Sequence, residues 1–218
     1  MDAGRFAEAV ILLEQACADR GKSQGPNHPD TLLTRNNLSA AYAAAERVDD
    51  AVHLSEQVVS DMQRVLGADH QDTLLARVNL ASAHEATGQT AKAISLYKQT
   101  LADSEQKLGS DHPVALESRL RLANVYLTTQ QASKAIELLQ QYCFDMPPHK
   151  NTSQISKLRF CNHLAVAHKA VGRTDDAIKL LEQTLAEAVD TPASGSTAID
   201  AIHENLVAMR SISQQNSE

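Results

Sequence analysis

Gly67-Ala68-Asp69-His70-Gln71-Asp72-Thr73-Leu74 lies between two long apolar stretches, and 42 residues to either side the chain repeats it. The copies read Gly25-Pro26-Asn27-His28-Pro29-Asp30-Thr31-Leu32 and Gly109-Ser110-Asp111-His112-Pro113-Val114-Ala115-Leu116. A fixed step of about 20–50 residues marks one supersecondary unit copied along an axis, each copy burying its apolar face against its neighbours. Ala9, Ala51, Ala93, Ala135 and Ala177 recur at that step, and so, out of phase with them, do Leu38, Leu80, Leu122, Leu164 and Leu206. Two kinds of segment therefore alternate, and the unit has two halves.

The copy from Gly67 to Leu108 shows what the halves are. Leu74, Leu75, Val78, Leu80, Ala81 and Ala83 are spaced as on one face of a helix, with Asp69 placed to accept from the free N–H groups at its start. Gly88, like Gly172 two steps on, supplies the left-handed geometry that ends a helix. Ala91, Ala93, Ile94, Leu96, Tyr97 and Leu101 then carry a second helix, roughly 30 Å long, to Gly109. In His28-Pro29 and His112-Pro113 the proline falls where its missing N–H is harmless, at a helix start, so these pairs read as caps. First helices are expected at 29–45, 71–87, 113–129 and 153–171, and second helices at 47–66, 89–108, 131–144 and 173–189.

Composition agrees with an all-α chain. Hydrophobic residues make up 43% but aromatics only 3%, so the core must be built from Ala, Leu, Val and Ile, which suit close helix packing. The net charge of -7, with Lys and Arg dispersed, argues against nucleic acid, whose phosphates need clustered cations. No apolar run approaches the roughly 18 residues of a membrane span, and no signal-peptide pattern follows Met1, so no membrane partner is expected. Cys17, Cys143 and Cys161 lack a C-x-x-C spacing and read as buried small hydrophobes, which fits the reducing cytoplasm. His28, His70 and His112 sit one per hairpin, about 10 Å apart by ordinary helix packing, so neither a metal site nor a cofactor is expected.

The organisation expected is a second helix of a first, truncated repeat at 1–24, repeats at 25–66, 67–108, 109–150 and 151–192, a terminal helix at 193–212, and a disordered tail at 213–218. The opening helix, at 5–20, matches the second half of later units. The chain therefore reads as a piece of a longer protein, with an apolar face at Val10, Leu13 and Cys17 open to association with another copy. Met146-Pro147-Pro148-His149 reads as an early break in the fourth long helix, and Asp190–Ser196 as a loop. Ile199, Ile202, Leu206 and Met209 are the packing residues of the terminal helix.

Leu80-Ala81, His84, Gly88, Ala93 and Tyr97 resemble the tetratricopeptide pattern. The 42-residue step, the junction from Leu66-Gly67 to Thr73-Leu74 and the helix motif Asn36-Asn37-Leu38 resemble the kinesin light chain type. That resemblance implies a right-handed superhelical solenoid of antiparallel helix hairpins, binding a peptide or protein segment in the groove lined by the first helices. Similar arrays also form the sensor ends of multidomain signalling ATPases, so the resemblance names a module and not a pathway.

On the groove-facing side the resemblance implies Asn36, Asn37, Asn79, Ser82, Arg121, Asn124, Asn162 and His163, with Ala40, Val78, Glu85, Glu117, Leu120, Arg159 and Val166 around them. Asn37, Asn79, Arg121, His163 and Asn205 occupy one register. Asn is a poor helix former, so its return asks for a compensating contact. Either its carboxamide serves the backbone of an extended peptide, in which case Asn79→Ala weakens binding with little effect on stability, or it bonds a neighbouring helix. Arg121, Arg159 and Lys169 could receive carboxylates, or form an ordinary solvated or ion-paired face.

The chain contains no glycine-rich phosphate loop, H-E-x-x-H or G-x-S-x-G motif, and Cys161 and His163 are two apart on a helix, so they point to different sides. The expectation is an interaction module, not an enzyme. The competing possibility is a structural or oligomerising element that stacks through its open ends or supports a catalytic or nucleotide-binding domain.

Overall fold

The computed structural model describes residues 3–144, 154–188 and 197–215. The described residues form ten α-helices and no strand: α1 (Ala3–Ser23), α2 (Pro29–Ala44), α3 (Val48–Val65), α4 (Gln71–Ala86), α5 (Thr90–Leu108), α6 (Pro113–Thr128), α7 (Ala132–Phe144), α8 (Gln154–Ala170), α9 (Thr174–Ala188) and α10 (Thr197–Gln215). The four expected hairpins match α2 to α9 within a residue or two at each end. Helix α1 is longer than expected, and α10 runs on through Gln215, into the tail expected from residue 213. Met146–His149, Asp190–Ser196 and residues 216–218 lie outside the described residues.

Two compact units divide the chain, Met1–Ser118 and Arg119–Glu218. In the first, α1 packs on α2, α2 on α3, α3 on α4 and α4 on α5, and α2 also lies beside α4. In the second, α8 packs between α7 and α9, and α10 packs on both α8 and α9. Thus α3 has a first helix on either side, α2 and α4, and so has α9, between α8 and α10. Leu32, Val58, Val59, Met62, Ala76 and Leu80 form one core in the first unit. In the second, Leu158, Ala165, Ala177, Leu181, Ile199, Ile202, Leu206 and Met209 do the same, the last four being the residues expected to dock the terminal helix.

The repeated alanines are sealed inside their repeats. Ala51, Ala93, Ala135 and Ala177 are all 0% exposed, and no larger side chain fits there without moving a helix. Between the halves of a hairpin the chain turns the same way four times. At Glu46, Gly88, Gln130 and Gly172 the backbone takes φ of 61°, 73°, 58° and 79°. The next N–H then reaches back to the carbonyl five residues earlier: Arg47 to Tyr42 at 2.9 Å, Gln89 to His84 at 2.8 Å, Gln131 to Tyr126 at 2.7 Å and Arg173 to His168 at 2.9 Å. This is the Schellman closure. Glycine does it without strain at two sites, while Glu46 and Gln130 hold the same left-handed geometry against a Cβ penalty of about 1–2 kcal/mol.

At the other junctions the histidines cap. Nδ1 of His28 accepts from the Asp30 N–H at 3.2 Å, that of His70 from Asp72 at 3.3 Å and that of His112 from Val114 at 3.3 Å. Asp69 is not the cap, because His70 is closer to the first turn and already fills the role; the Asp69 carboxylate pairs instead with Lys107 at 3.0 Å. The apolar face expected on α1 also needs correction. Val10 is 4% exposed and Leu13 and Cys17 are half-buried, because the face they share is the one turned to α2; Ile11 and Leu12 stand out in their place.

Two predictions follow from the crossings and the turns. Ala93→Leu overpacks the α4–α5 crossing and lowers stability by roughly 1–3 kcal/mol, read from the urea midpoint. Glu46→Gly and Gln130→Gly, at exposed positions, relieve the left-handed strain and each raise that midpoint, by up to about 1 kcal/mol after glycine's greater unfolded-state freedom is counted.

Candidate functional face of the first helices

Three registers of the first helices carry the residues singled out from the sequence. The innermost holds Asn36, Val78, Leu120 and Asn162 at successive 42-residue steps. Asn36 is 2% exposed, Val78 and Leu120 are buried and Asn162 is half-buried, so this row lies under the surface, and Val78 and Leu120 line no open groove. The second row, one residue on, is the polar one: Asn37 and Arg121 are exposed, and Asn79, His163 and Asn205 are half-buried. The third contains Ser82, half-buried, and Asn124, exposed.

Asparagines of the first two rows meet. In the first unit Asn79 Nδ2 donates to Asn36 Oδ1 at 3.0 Å, joining α4 to α2. In the second, Asn205 Nδ2 donates to Asn162 Oδ1 at 2.8 Å, joining α10 to α8. Both pairs are 43 residues apart, one repeat plus one residue. Because Asn36 is buried, the bond satisfies an acceptor that would otherwise be stranded at a cost of about 1–3 kcal/mol. Of the two alternatives for Asn79, the bond to a neighbouring helix is present, so Asn79→Ala orphans Asn36 and lowers stability whether or not the amide also meets a ligand. The bond uses one donor of a group that has two donor hydrogens and an acceptor oxygen, so part of the Asn79 amide's capacity lies outside it.

The other polar positions are held in place from within their own unit. The Ser82 hydroxyl shares a 2.7 Å hydrogen bond with the hydroxyl of Tyr97, a buried ring on α5 whose hydroxyl also donates to Glu85 at 3.4 Å. His163 Nδ1 donates to the Arg159 carbonyl at 2.8 Å, which fixes the ring and leaves Nε2 as the acceptor of the neutral form. Ion pairs within hairpins repeat too: Arg35 to Asp61 at 2.9 Å and Arg77 to Asp103 at 2.7 Å, each spanning 26 residues. Sequence reasoning missed them although Arg35, Arg77 and Arg119 stand at the 42-residue step. At Arg119 the guanidinium lies 4.6 Å over the ring of Tyr142.

One titratable position runs behind this face. Tyr42, His84, Tyr126 and His168 share a register, and both histidines are buried with Nδ1 lacking a hydrogen-bond partner. Burial pushes both imidazoles below their ordinary pKa, with Lys92 adding to the shift at His84 and Arg173 at His168, against opposing pulls from Glu56 and Asp176. Unfolding frees the rings to protonate near about pH 6.5, so the unfolded chain binds more protons below that value. Their contribution to stability is present above about pH 6.5 and drains as the pH falls through it toward the lowered folded values. We predict that the unfolding midpoint drops between pH 7 and 5, and that the double variant His84→Tyr/His168→Tyr, which installs the residue found at the other two copies, flattens that drop.

Among the described residues no helix is long and apolar enough to cross a membrane, and no cluster of three or more His, Cys, Asp or Glu side chains has the geometry of a metal site. A tetratricopeptide repeat family model matches residues 1–63, 42–106 and 78–143, and a second one of the same description matches 161–193. No curated protein matches the chain significantly. Among solved structures, a Podosopora anserina protein with kinesin light chain nearly identical TPR-like repeats is 35% identical, covering 88% of this chain and 90% of its own, with a TM-score of 0.68. A substituted form of that protein is 36% identical over 84% of this chain and 86% of its own, also with a TM-score of 0.68. BtubC (BKLC) from P. vanneervenii, 17% identical over 87% of this chain and 77% of its own, shares the fold with a TM-score of 0.69.

Proposed function

Because the chain belongs to the tetratricopeptide repeat family, whose members generally mediate protein–protein interaction, we propose that its first helices bind an extended peptide or partner segment. The observation that carries this reading is the exposed polar row one residue beyond the buried one. Asn37 in the first unit and Arg121 and Asn124 in the second reach solvent on the helical face that recurs at every repeat. In the first unit Asn37, Asn79 and Ser82 offer neutral donors and acceptors to a peptide backbone, with Asn36 orienting Asn79 from below. In the second unit Arg121, Asn124, Asn162 and His163, with Arg159 and Lys169 nearby in sequence, favour a segment carrying carboxylates. The role is non-catalytic, and the setting proposed is the cytoplasm, supported by the spacing of the cysteines.

A second reading, a structural or oligomerising element, is favoured by the two asparagine bridges, which use part of the polar row to tie one first helix to the next. Asn37 separates the two because it is exposed and is not a member of either bridge. A peptide selected from a random displayed library against the whole chain would be labelled and titrated by fluorescence anisotropy. Asn37→Ala is expected to weaken its binding by about 1 kcal/mol or more, roughly fivefold or greater, with the unfolding midpoint unchanged. Unchanged affinity removes the binding role from this row and leaves the structural one.

A further inference from the structure

In the middle of α8 the chain departs from its period. Arg35, Arg77 and Arg119 occupy one register of the first helices, and at the next copy the residue is Cys161. The acidic counterpart persists, because Glu187 stands where Asp61 and Asp103 stand and takes its cation from Lys157 instead, at 2.6 Å. Lys157 thus keeps the ion pair of the hairpin, and Cys161 is released from it.

The side chain facing Cys161 is a second cysteine. Cys143, in the last turn of α7, has the register of Cys17, Val59, Leu101 and Leu185. In the first unit this register lies beside the arginine of the following helix, since Cys17 is within reach of the charge of Arg35, 18 residues on. At the same spacing Cys143 and Cys161 share a hydrogen bond between their sulfurs. The residues just before them make the same approach, with the rings of Tyr142 and Phe160 stacked at 4.6 Å between centroids. Cys143 is 8% and Cys161 2% exposed, so the thiol that each is placed to meet is the other.

We propose that Cys143 and Cys161 are a redox modification site, forming a reversible disulfide between α7 and α8 when the chain meets a hydroperoxide. Cys161 is the attacking sulfur. The hydrogen bond from Cys143 holds it below its ordinary pKa against the effect of burial, with Thr184 and Lys157 assisting and Glu187 opposing; the same bond, with burial, pushes Cys143 up. The Cys161 thiolate bonds to one peroxide oxygen as the O–O bond breaks, leaving a sulfenic acid and a hydroxide that takes up a proton to become water. The sulfur of Cys143 then bonds to that of Cys161 as the S–O bond breaks, and its proton leaves with the hydroxyl as a second water. Two thiols are oxidised and one peroxide is reduced. A disulfide holds its sulfurs about 2.05 Å apart, closer than a hydrogen bond does, so one helix has to shift. Cys143 is the next-to-last residue of α7, where a helix end gives most readily. The bond pins α8, with Asn162 and His163, to α7, and in a reducing compartment it lasts only while the oxidant does.

The test treats the folded whole chain with hydrogen peroxide, alkylates the remaining thiols in urea and maps linked peptides by mass spectrometry. The expected product joins Cys143 to Cys161 within one chain, exceeds any linkage through half-buried Cys17 by about tenfold or more, and is reversed by dithiothreitol. Its rate of formation should hold steady in urea well below the unfolding midpoint. Cys143→Val, which copies Val59, should keep the helicity and stop Cys161 at the sulfenic or sulfinic acid, seen as added oxygen in place of the cross-link. Cys143 and Cys161 still reduced when Cys17 is fully oxidised, a rate that climbs with the unfolded fraction, or a folded Cys143→Val chain with no oxygen added at Cys161 would each overturn the proposal.

Discussion

The fully buried alanines that return every 42 residues are the constraint on which the packing within each unit depends. Ala51, Ala93, Ala135 and Ala177 are 0% exposed, and each brings no side chain beyond a methyl group to its contacts. The helices therefore approach closely, and the flanking leucines and valines interlock instead of propping them apart. That closeness explains how a chain with 3% aromatic residues and no tryptophan still forms dense cores. It also explains why Tyr97, one of the few large rings, can sit wholly buried on α5 with its hydroxyl against Ser82 on α4. The same geometry puts Arg35 within reach of Asp61 and Arg77 within reach of Asp103, so an ion pair laces each of these hairpins beside the apolar contact.

Close crossings demand tight corners, and the chain makes them with two different devices. Inside a hairpin, the left-handed residue and the bond back to the fifth preceding carbonyl satisfy groups that a helix end would otherwise leave bare. Between hairpins, a histidine side chain caps the next helix, and at two of the three copies a proline follows it where no N–H is needed. The first device works with Gly, Glu or Gln because the hydrogen bonds outweigh a modest steric cost; the second keeps its histidine at all three copies because Nδ1 itself is the acceptor.

A repeat fixes where a side chain sits but not what it does there. The register of Asn36 is filled by Val78 and Leu120 at the next two copies, and the same place accommodates an amide only where Asn79 or Asn205 is there to donate to its neighbour. The register of Tyr42 and Tyr126 holds His84 and His168, whose burial depresses their pKa. On α1 and α10 the same logic runs outward: Ile11 takes a place that is polar elsewhere, and Asp200 one that is leucine elsewhere. Such departures from the period are where individual copies acquire their own chemistry.

From the sequence alone the period, the all-α class, the hairpin limits and the buried alanines could be read, because each depends on local spacing or on a residue returning every 42 positions. The histidine caps were readable from the His-Pro pairs for the same reason. What the sequence could not decide was partnership across helices. Asp69 looked like a cap until Lys107 and His70 were seen in space, and whether Asn79 bonds a neighbouring helix was open until Asn36 appeared beneath it. Val10 and Ile11 are neighbours with the same chemistry, and only the direction in which α1 lies on α2 makes one core and the other surface. Periodicity gives a face its composition, but the azimuth of a helix is set by the neighbour it packs on, and that is a property of the folded chain.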